Sequence, residues 1–372
     1  MLKFLQIENF KSLRSVGLPL ERLNLLFGFN GMGKSSVIQS LLMLRQSFWQ
    51  SQKTSLDRLY TNGTLINLGT CKDVFCQSAE ENYMRFVLCF SGDHRQDVRF
   101  SCDSECFNQD AIPLQPSPDT STPDILWDEA LYQSRFSYLG AEHIGPREGY
   151  STRSWLSSAI NPLGNIGQYA VPFLAVNGNH VKVPDSLCLD SGKTNRLFDQ
   201  VSAWMARVSP GVKILASLEP YEEMAKLNIS YIGQRLETDA FTPINVGFGI
   251  PYVLPTIISL LISDANSLLM LENPESHLHP KGQTMIAELI ARAASNGAQI
   301  FCESHSDHVI NGVRLAVKNK LLTHSDVTVH YFDKNSNQET VVTDIAIDRN
   351  GNLSDYPTGL LDEWGNLMAQ LV

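Results

Sequence analysis

No window of the sequence holds the ~20 uninterrupted apolar residues that a membrane-spanning helix requires. The longest apolar run, around Tyr252–Ile262, is too short and is broken by Pro255. The opening "MLKFLQIENFKS" alternates apolar and polar residues and lacks the apolar stretch and small-residue cleavage site of a secretory leader. Cysteine is also scarce in any organised sense. Seven are present, an odd number and scattered, which suits reduced thiols better than a disulfide framework. "CDSEC" spaces Cys102 and Cys106 as half of a metal site would, but no second pair lies at a supporting distance and zinc is not expected. A basic excess is missing as well. The net charge is −10, so a surface that is basic all over is excluded, although a local basic groove could still meet nucleic acid. There is no internal repeat. These absences lead us to expect a soluble, cytoplasmic protein with no membrane contact.

What is present is a long chain, 372 residues with 43% hydrophobic and 18% charged, able to bury one large core or two modest ones. "FLQIENF" alternates as a strand, and "LNLLFG" (Leu23–Gly28) is an apolar run ending in glycine, as a buried strand does. A helix is expected from Lys34, with apolar residues at Val37, Ile38, Leu41, Leu42 and Leu44. Between about Tyr83 and Ile232, short alternating segments mix with Pro/Ser/Asp-rich loops such as "PLQPSPDTSTPD" (Pro113–Asp124). From Asn245 helices and strands alternate again: Pro251–Ser263, Leu268–Leu271, Gly282–Ala294, Ala298–Ser304, Asp307–Lys318 and Val327–Phe332. A tight turn at Asn350–Gly351 and a terminal helix close the chain. We therefore expect a discontinuous α/β core from residues 1–82 and 238–335, an inserted lobe over 83–237, and a C-terminal hairpin and helix over 336–372.

"GFNGMGKS" (Gly28–Ser35) matches G-x-x-x-x-G-K-[ST] in the required place, after a strand and opening a helix. Gly28, Gly31 and Gly33 let the backbone wrap so that successive N–H groups, including those of Phe29, Asn30, Met32 and Ser36, face phosphate oxygens. The helix N-terminus adds its positive end. Lys34 is expected to reach the outer phosphates and the Ser35 hydroxyl to ligate Mg²⁺. Downstream, four apolar residues (Leu268–Leu271) deliver Glu272, which has the form of a Walker B acid holding the same Mg²⁺. "ESHSDH" (Glu303–His308) follows another apolar strand, and His305 is the candidate to meet the γ-phosphate or the attacking water. "NVGFGIPYVLP" places Gly247 and Gly249 at a helix start, too far along the chain to share the first glycine loop and suited to the nucleotide of a second subunit.

Together with "IENFKSL", "YLGAEHIGPRE", "LLMLENPESHLHPKGQ", "ESHSDHVINGVRLA" and "GNLSDYPTGLLDEW", these blocks resemble the ATP-binding-cassette-type ATPases of the SMC/RecF/OLD-like group. More narrowly, they resemble bacterial predicted AAA-family ATPases with a short C-terminal domain of unknown function. The resemblance implies an α/β P-loop NTPase of the ABC-ATPase type: a mixed β-sheet core flanked by helices, carrying an inserted, β-rich or irregular lobe. It also implies a head-to-tail homodimer, or a higher oligomer, that sandwiches two ATP molecules. Gly247–Gly249 would face the partner's nucleotide, and Ser276–His279 would lie at the interface. Some members of this broad group act in DNA repair or antiviral defence, often with a nuclease as output.

Two departures shape the functional expectation. Gly247 stands where these enzymes usually carry serine, so a contact in trans would rest on backbone N–H groups. The usual Asp-Glu pair is here Glu272-Asn273, and an amide cannot act as a general base at neutral pH. Asn273 can still orient a water, and base function would pass to Glu275 or Glu303 or be dispensed with. The expected function is a slowly hydrolysing ATP switch that controls a separate effector, DNA-directed or a nuclease, in antiviral defence or DNA maintenance. A non-hydrolysing ATP-bound scaffold stays open beside it. A metal nuclease built from Glu275, His277, His279, His305, Asp307 and His308 is the weaker reading, because the residues after His305 are too few for the Toprim domain with which OLD-like relatives cut DNA. A small-molecule kinase is weaker still, since nothing resembles an arginine lid.

Overall fold

The run Leu23–Gly28 is buried along nearly its whole length, as a parallel strand covered on both faces must be. It pairs in parallel with Val327–Lys334, in register from Leu23↔Val327 to Gly28↔Phe332. Val327–Lys334 pairs in turn, antiparallel, with Thr340–Ala346. The chain therefore returns, some 300 residues later, to build the neighbours of its own third strand. The computed structural model describes residues 1–118, 120–121, 123–153, 160–219, 223–234 and 236–371.

Two compact units emerge. The first comprises Met1–Ser134, Val327–Ile347 and Leu353–Val372. Besides the strands above, it holds a four-stranded antiparallel sheet in the order Leu13–Pro19, Leu2–Phe10, Tyr83–Phe90, Arg95–Ser101. The helix Lys34–Gln50 springs from the glycine loop and is buried over most of its length, including Arg45 and Gln46. Arg45 survives burial because its guanidinium donates to the carbonyls of Leu131 (2.6 Å) and Gln133 (2.8 Å).

The second unit comprises Arg135–Asp326 and Asp348–Asn352. Its central strand, Leu268–Glu272, is buried at all five positions. Phe136–Leu139 and Gln299–Glu303 flank it, both in parallel. The helices Gly249–Leu261, Pro280–Ser295 and Asp307–Lys318 belong to this unit, as does the hairpin Val212–Glu219/Met224–Tyr231. Gly249–Leu261 is almost wholly buried and tolerates Pro255 inside it. Asp307–Lys318 is capped by Ser306, whose hydroxyl accepts from the backbone N–H of His308 and Val309. The turn expected at Asn350–Gly351 is present: Gly351 N–H donates to Asp348 O at 2.9 Å, with Gly351 at φ +81°. No helix among the described residues is long and apolar enough to cross a membrane.

Candidate functional site

In the first unit, Gly28, Gly31 and Gly33 take φ of +134°, +79° and +103°, values that side-chain-bearing residues rarely adopt. Gly28 needs its glycine twice over, because a Cβ there would stand 2.2 Å from the Phe332 carbonyl oxygen. Around Gly31 there is open space, and there φ alone imposes the choice. The loop rim (Phe29, Asn30, Gly31) is exposed and Met32 half-buried, while Lys34 is buried to 3% exposure. Lys34 Nζ donates to the carbonyls of Gly28 (2.9 Å) and Phe29 (2.8 Å), bridging the loop. Ser35 and Ser36 open the helix at Gly33, its N-cap. Thr340 Oγ1 donates to Met32 O at 2.9 Å and shares a hydrogen bond with Ser12 Oγ at 2.8 Å. Ser12 also lines an open cavity of about 550 Å³, with Lys11, Lys72, Lys334, Phe75 and Glu339. Burial holds the Lys11 ammonium below its usual range.

In the second unit, Glu272 and Glu303 are register partners at the ends of two parallel strands, so their carboxylates share one face. Both are 95% buried or nearly so. Glu272 Oε1 accepts from Tyr138 Oη at 3.2 Å, and Oε2 accepts from Ala141 N–H at 3.3 Å. Burial, then the charge of Glu303, pushes the Glu272 carboxyl up to about 7. Glu275 is buried and also raised, chiefly by desolvation. Its Oε1 accepts from Ser304 Oγ (2.6 Å) and His305 N–H (3.3 Å), while Oε2 has no hydrogen-bond partner among the described residues. Among the described residues, the hydrogen-bond donors that meet Glu272 and Glu275 are all neutral: Tyr138 Oη, Ala141 N–H, Ser304 Oγ and His305 N–H. Hard carboxylate oxygens in a dry setting, met so far only by neutral donors, are the donor set that Mg²⁺ prefers.

Asn273 sits at φ +50°, its N–H donating to Glu303 O at 2.9 Å. Its Oδ1 is buried with no partner among the described residues. His305 is exposed, tied to Glu275 through its backbone. Gly249 starts its helix against the 276–279 segment: a Cβ there would stand 2.4 Å from His277 O. Gly247 faces open space, and the exposed Phe248 ring lies 4.7 Å from that of His277. His279 caps the helix Pro280–Ser295, its Nδ1 accepting from Lys281 N–H.

The structure thus brings Lys34 onto Gly28 and Phe29, Glu272 beside Glu303, Glu275 onto the Ser304–His305 turn, and Gly249 against His277. It does not gather the histidines and acids of 275–308 into a metal centre. No group of three or more His, Cys, Asp or Glu able to hold a metal occurs among the described residues. Cys102 and Cys106 are buried free thiols, and Cys102 Sγ donates to Phe100 O at 3.5 Å. Tyr138, the Ala141 N–H, Ser304 and Thr340 were not foreseen as site residues. "YLGAEHIGPRE" stood out in the resemblance, but nothing in its local pattern announced that Tyr138 and Ala141 would hold Glu272.

Residues 1–102 match the family model described as "AAA ATPase domain", and residues 189–311 the one described as "AAA domain, putative AbiEii toxin, Type IV TA system". Residues 322–371 match "Protein of unknown function (DUF3696)". A crystallised Smc head bound to the C-terminal winged-helix domain of ScpA superposes with TM-score 0.52 at 15% identity, covering 94% of this chain and 98% of that one. Two segments of the chain thus match AAA ATPase domain models, on a fold similar to that of SMC heads. A second head, with an extended coiled coil and bound to the C-terminal domain of ScpA from Pyrococcus furiosus, gives 0.52 at 12% identity over 100% and 99% of the two chains. At such identities the likeness speaks for the fold alone, an α/β P-loop ATPase with mixed sheets flanked by helices. The search of curated proteins finds no match.

Proposed function

We propose that the protein is an ATP-binding, slowly hydrolysing switch that works as a dimer and controls a separate effector. The observation that carries this reading is the glycine loop: a buried Lys34 bridges the Gly28 and Phe29 carbonyls at the N-terminus of a 17-residue helix. Backbone N–H groups, a helix dipole and an ammonium then converge on one anion. In this reading Gly28 to Ser36 hold the triphosphate, and Ser35 and Glu272 hold Mg²⁺, which supplies charge neutralisation when bound. The open cavity with Lys11, Lys72 and Lys334 has room for the nucleoside end.

Slow turnover follows from Asn273. Its backbone is anchored to Glu303 and its side-chain amide can orient a water but cannot take its proton. Base function would then pass to Glu275, whose buried Oε2 has no hydrogen-bond partner among the described residues, or to Glu303, or be dispensed with. Gly247 and Gly249 would serve the nucleotide of a second copy, bound head-to-tail, with His305 toward the γ-phosphate. A DNA-directed or nuclease effector, in antiviral defence or DNA maintenance, is supported by the family resemblance and by the AbiEii wording of the matched model. The SMC-head relatives bind ScpA, which supports a partner protein here. Cytoplasmic placement fits the reduced cysteines and the absence of a spanning helix among the described residues.

The Asn273 geometry also favours a second reading, a non-hydrolysing scaffold in which ATP only assembles the dimer. Phosphate release by wild type, Lys34→Ala and Asn273→Glu separates the two. A switch shows a slow, Lys34-dependent rate. A scaffold shows a near-zero rate in all three, with ATP still driving dimerisation.

A further inference from the structure

The glycine loop does not support itself. Its first residue is fitted against Phe332, whose carbonyl leaves no room for a Cβ on Gly28. Its far end is held by Thr340, which donates to Met32 O and stands so near Gly33 that a Cβ there would lie 2.6 Å from Oγ1. The exposed rim has a third contact. A Cβ on Gly359 would stand 2.6 Å from Cε2 and Cζ of the Phe29 ring and 2.9 Å from Tyr331 Oη. The turn bearing Gly359 is itself fixed: Tyr331 Oη donates to Thr358 O (2.7 Å), and Gly359 N–H donates to Asp362 Oδ2 (2.9 Å). Gly359 has φ +90°, so neither its backbone nor the space beside it accommodates a side chain. Every one of these supports comes from the stretch 322–371 that matches a family of unknown function.

We propose that this C-terminal segment is a working part of the nucleotide site, in which the Pro357–Asp362 turn positions Phe29 and registers whether phosphate fills the loop. The inference rests on the reading of Gly28–Ser35 as an ATP site. Lys34 Nζ donates to the Phe29 carbonyl. A phosphate oxygen is the stronger acceptor, because its hydrogen bond to an ammonium is charge-assisted on both sides. When a triphosphate draws Nζ toward itself, Phe29 loses a donor and its ring shifts on Gly359. That turn cannot give by rotating a side chain, so the shift passes into its backbone. The helix Glu363–Leu371 follows directly, with Leu367, Met368 and Leu371 exposed.

Hydrogen exchange on the full-length protein tests this, with and without a non-hydrolysable ATP analogue and Mg²⁺, while a fluorescent nucleotide confirms saturation. Saturation is expected to change exchange across 355–371 by at least about threefold, a small shift within the range that local opening free energies span. Tyr331→Phe, which frees Thr358 without touching the loop, should blunt that response at saturation. Gly359→Val should raise exchange across 23–36 even without nucleotide. If Gly359→Val fails to fold, Tyr331→Phe alone decides. A wild type that binds nucleotide while exchange over 355–371 stays the same overturns the proposal. A wild type that binds no nucleotide overturns the ATP reading, and this proposal with it.

Discussion

The glycine loop and the acidic strand end are built by opposite means. The loop's needs are met by protein atoms: glycines take the φ values, Lys34 satisfies two carbonyls, and Thr340, from far along the chain, satisfies a third. The strand end gathers acids instead, with Glu272 and Glu303 on one face and Glu275 nearby, all buried, and Glu275 Oε2 without a hydrogen-bond partner among the described residues. Tyr138 and the Ala141 N–H moderate the charge on Glu272 but do not cancel it. One region is preorganised for an anion and stable without it. The other, on the proposed reading, would be completed by a cation. Substitutions should therefore have contrasting signatures, loss of function with loss of fold on the loop side, and loss of function with gain of stability on the acidic side.

The largest effect is expected from Lys34→Ala, which removes both the phosphate donor and the bridge across the loop. Nucleotide turnover should fall about 10²- to 10³-fold, the usual cost of deleting one preorganised donor, as read by phosphate release. Gly28→Ala adds a Cβ at 2.2 Å from Phe332 O in a left-handed conformation. It should cost roughly 3 kcal/mol or more in denaturant unfolding. Glu272→Gln should do the reverse for stability. A carboxyl raised from 4.5 to about 7 binds more protons folded than unfolded, so its contribution is fullest below 4.5 and is lost as pH rises through 7. The ligand-free protein should therefore lose thermal stability between pH 5 and 8, and Glu272→Gln should flatten that slope by on the order of 2 kcal/mol while weakening Mg²⁺-dependent nucleotide binding. Asn273→Glu is the mildest: it supplies a base and should raise turnover by about tenfold, below the roughly 10²- to 10⁴-fold typical of general-base catalysis, because position 273 holds a positive φ that glutamate adopts less readily than asparagine. A destabilising Glu272→Gln would erase the contrast between the two regions.

The parts of the site legible in sequence are those carried by local pattern. "GFNGMGKS" after an apolar run and "LLMLE" ending in an acid are contiguous, and the strands and helix they imply are present as Leu23–Gly28, Lys34–Gln50 and Leu268–Glu272. What stayed hidden lies between distant residues. Tyr138 meets Glu272 across 134 positions, and Thr340 meets Met32 across 308. Neither a tyrosine in a short strand nor a threonine after a turn differs by composition or spacing from its unremarkable neighbours. Glu275 was legible as an acid near the site but not as the anchor of the Ser304–His305 turn. That pairing depends on two parallel strands lying in register. The histidines around it suggested a metal by type, yet the fold spreads them over a cap, a turn and a helix start.

Phosphate release by the purified protein with Mg²⁺·ATP, beside a direct measurement of nucleotide binding, tests the central claim most directly. We predict tight, Lys34-dependent binding with turnover well below about 1 s⁻¹, the slow end of enzyme rates. Turnover comparable to that of fast transport ATPases, or binding that survives Lys34→Ala undiminished, would contradict the account.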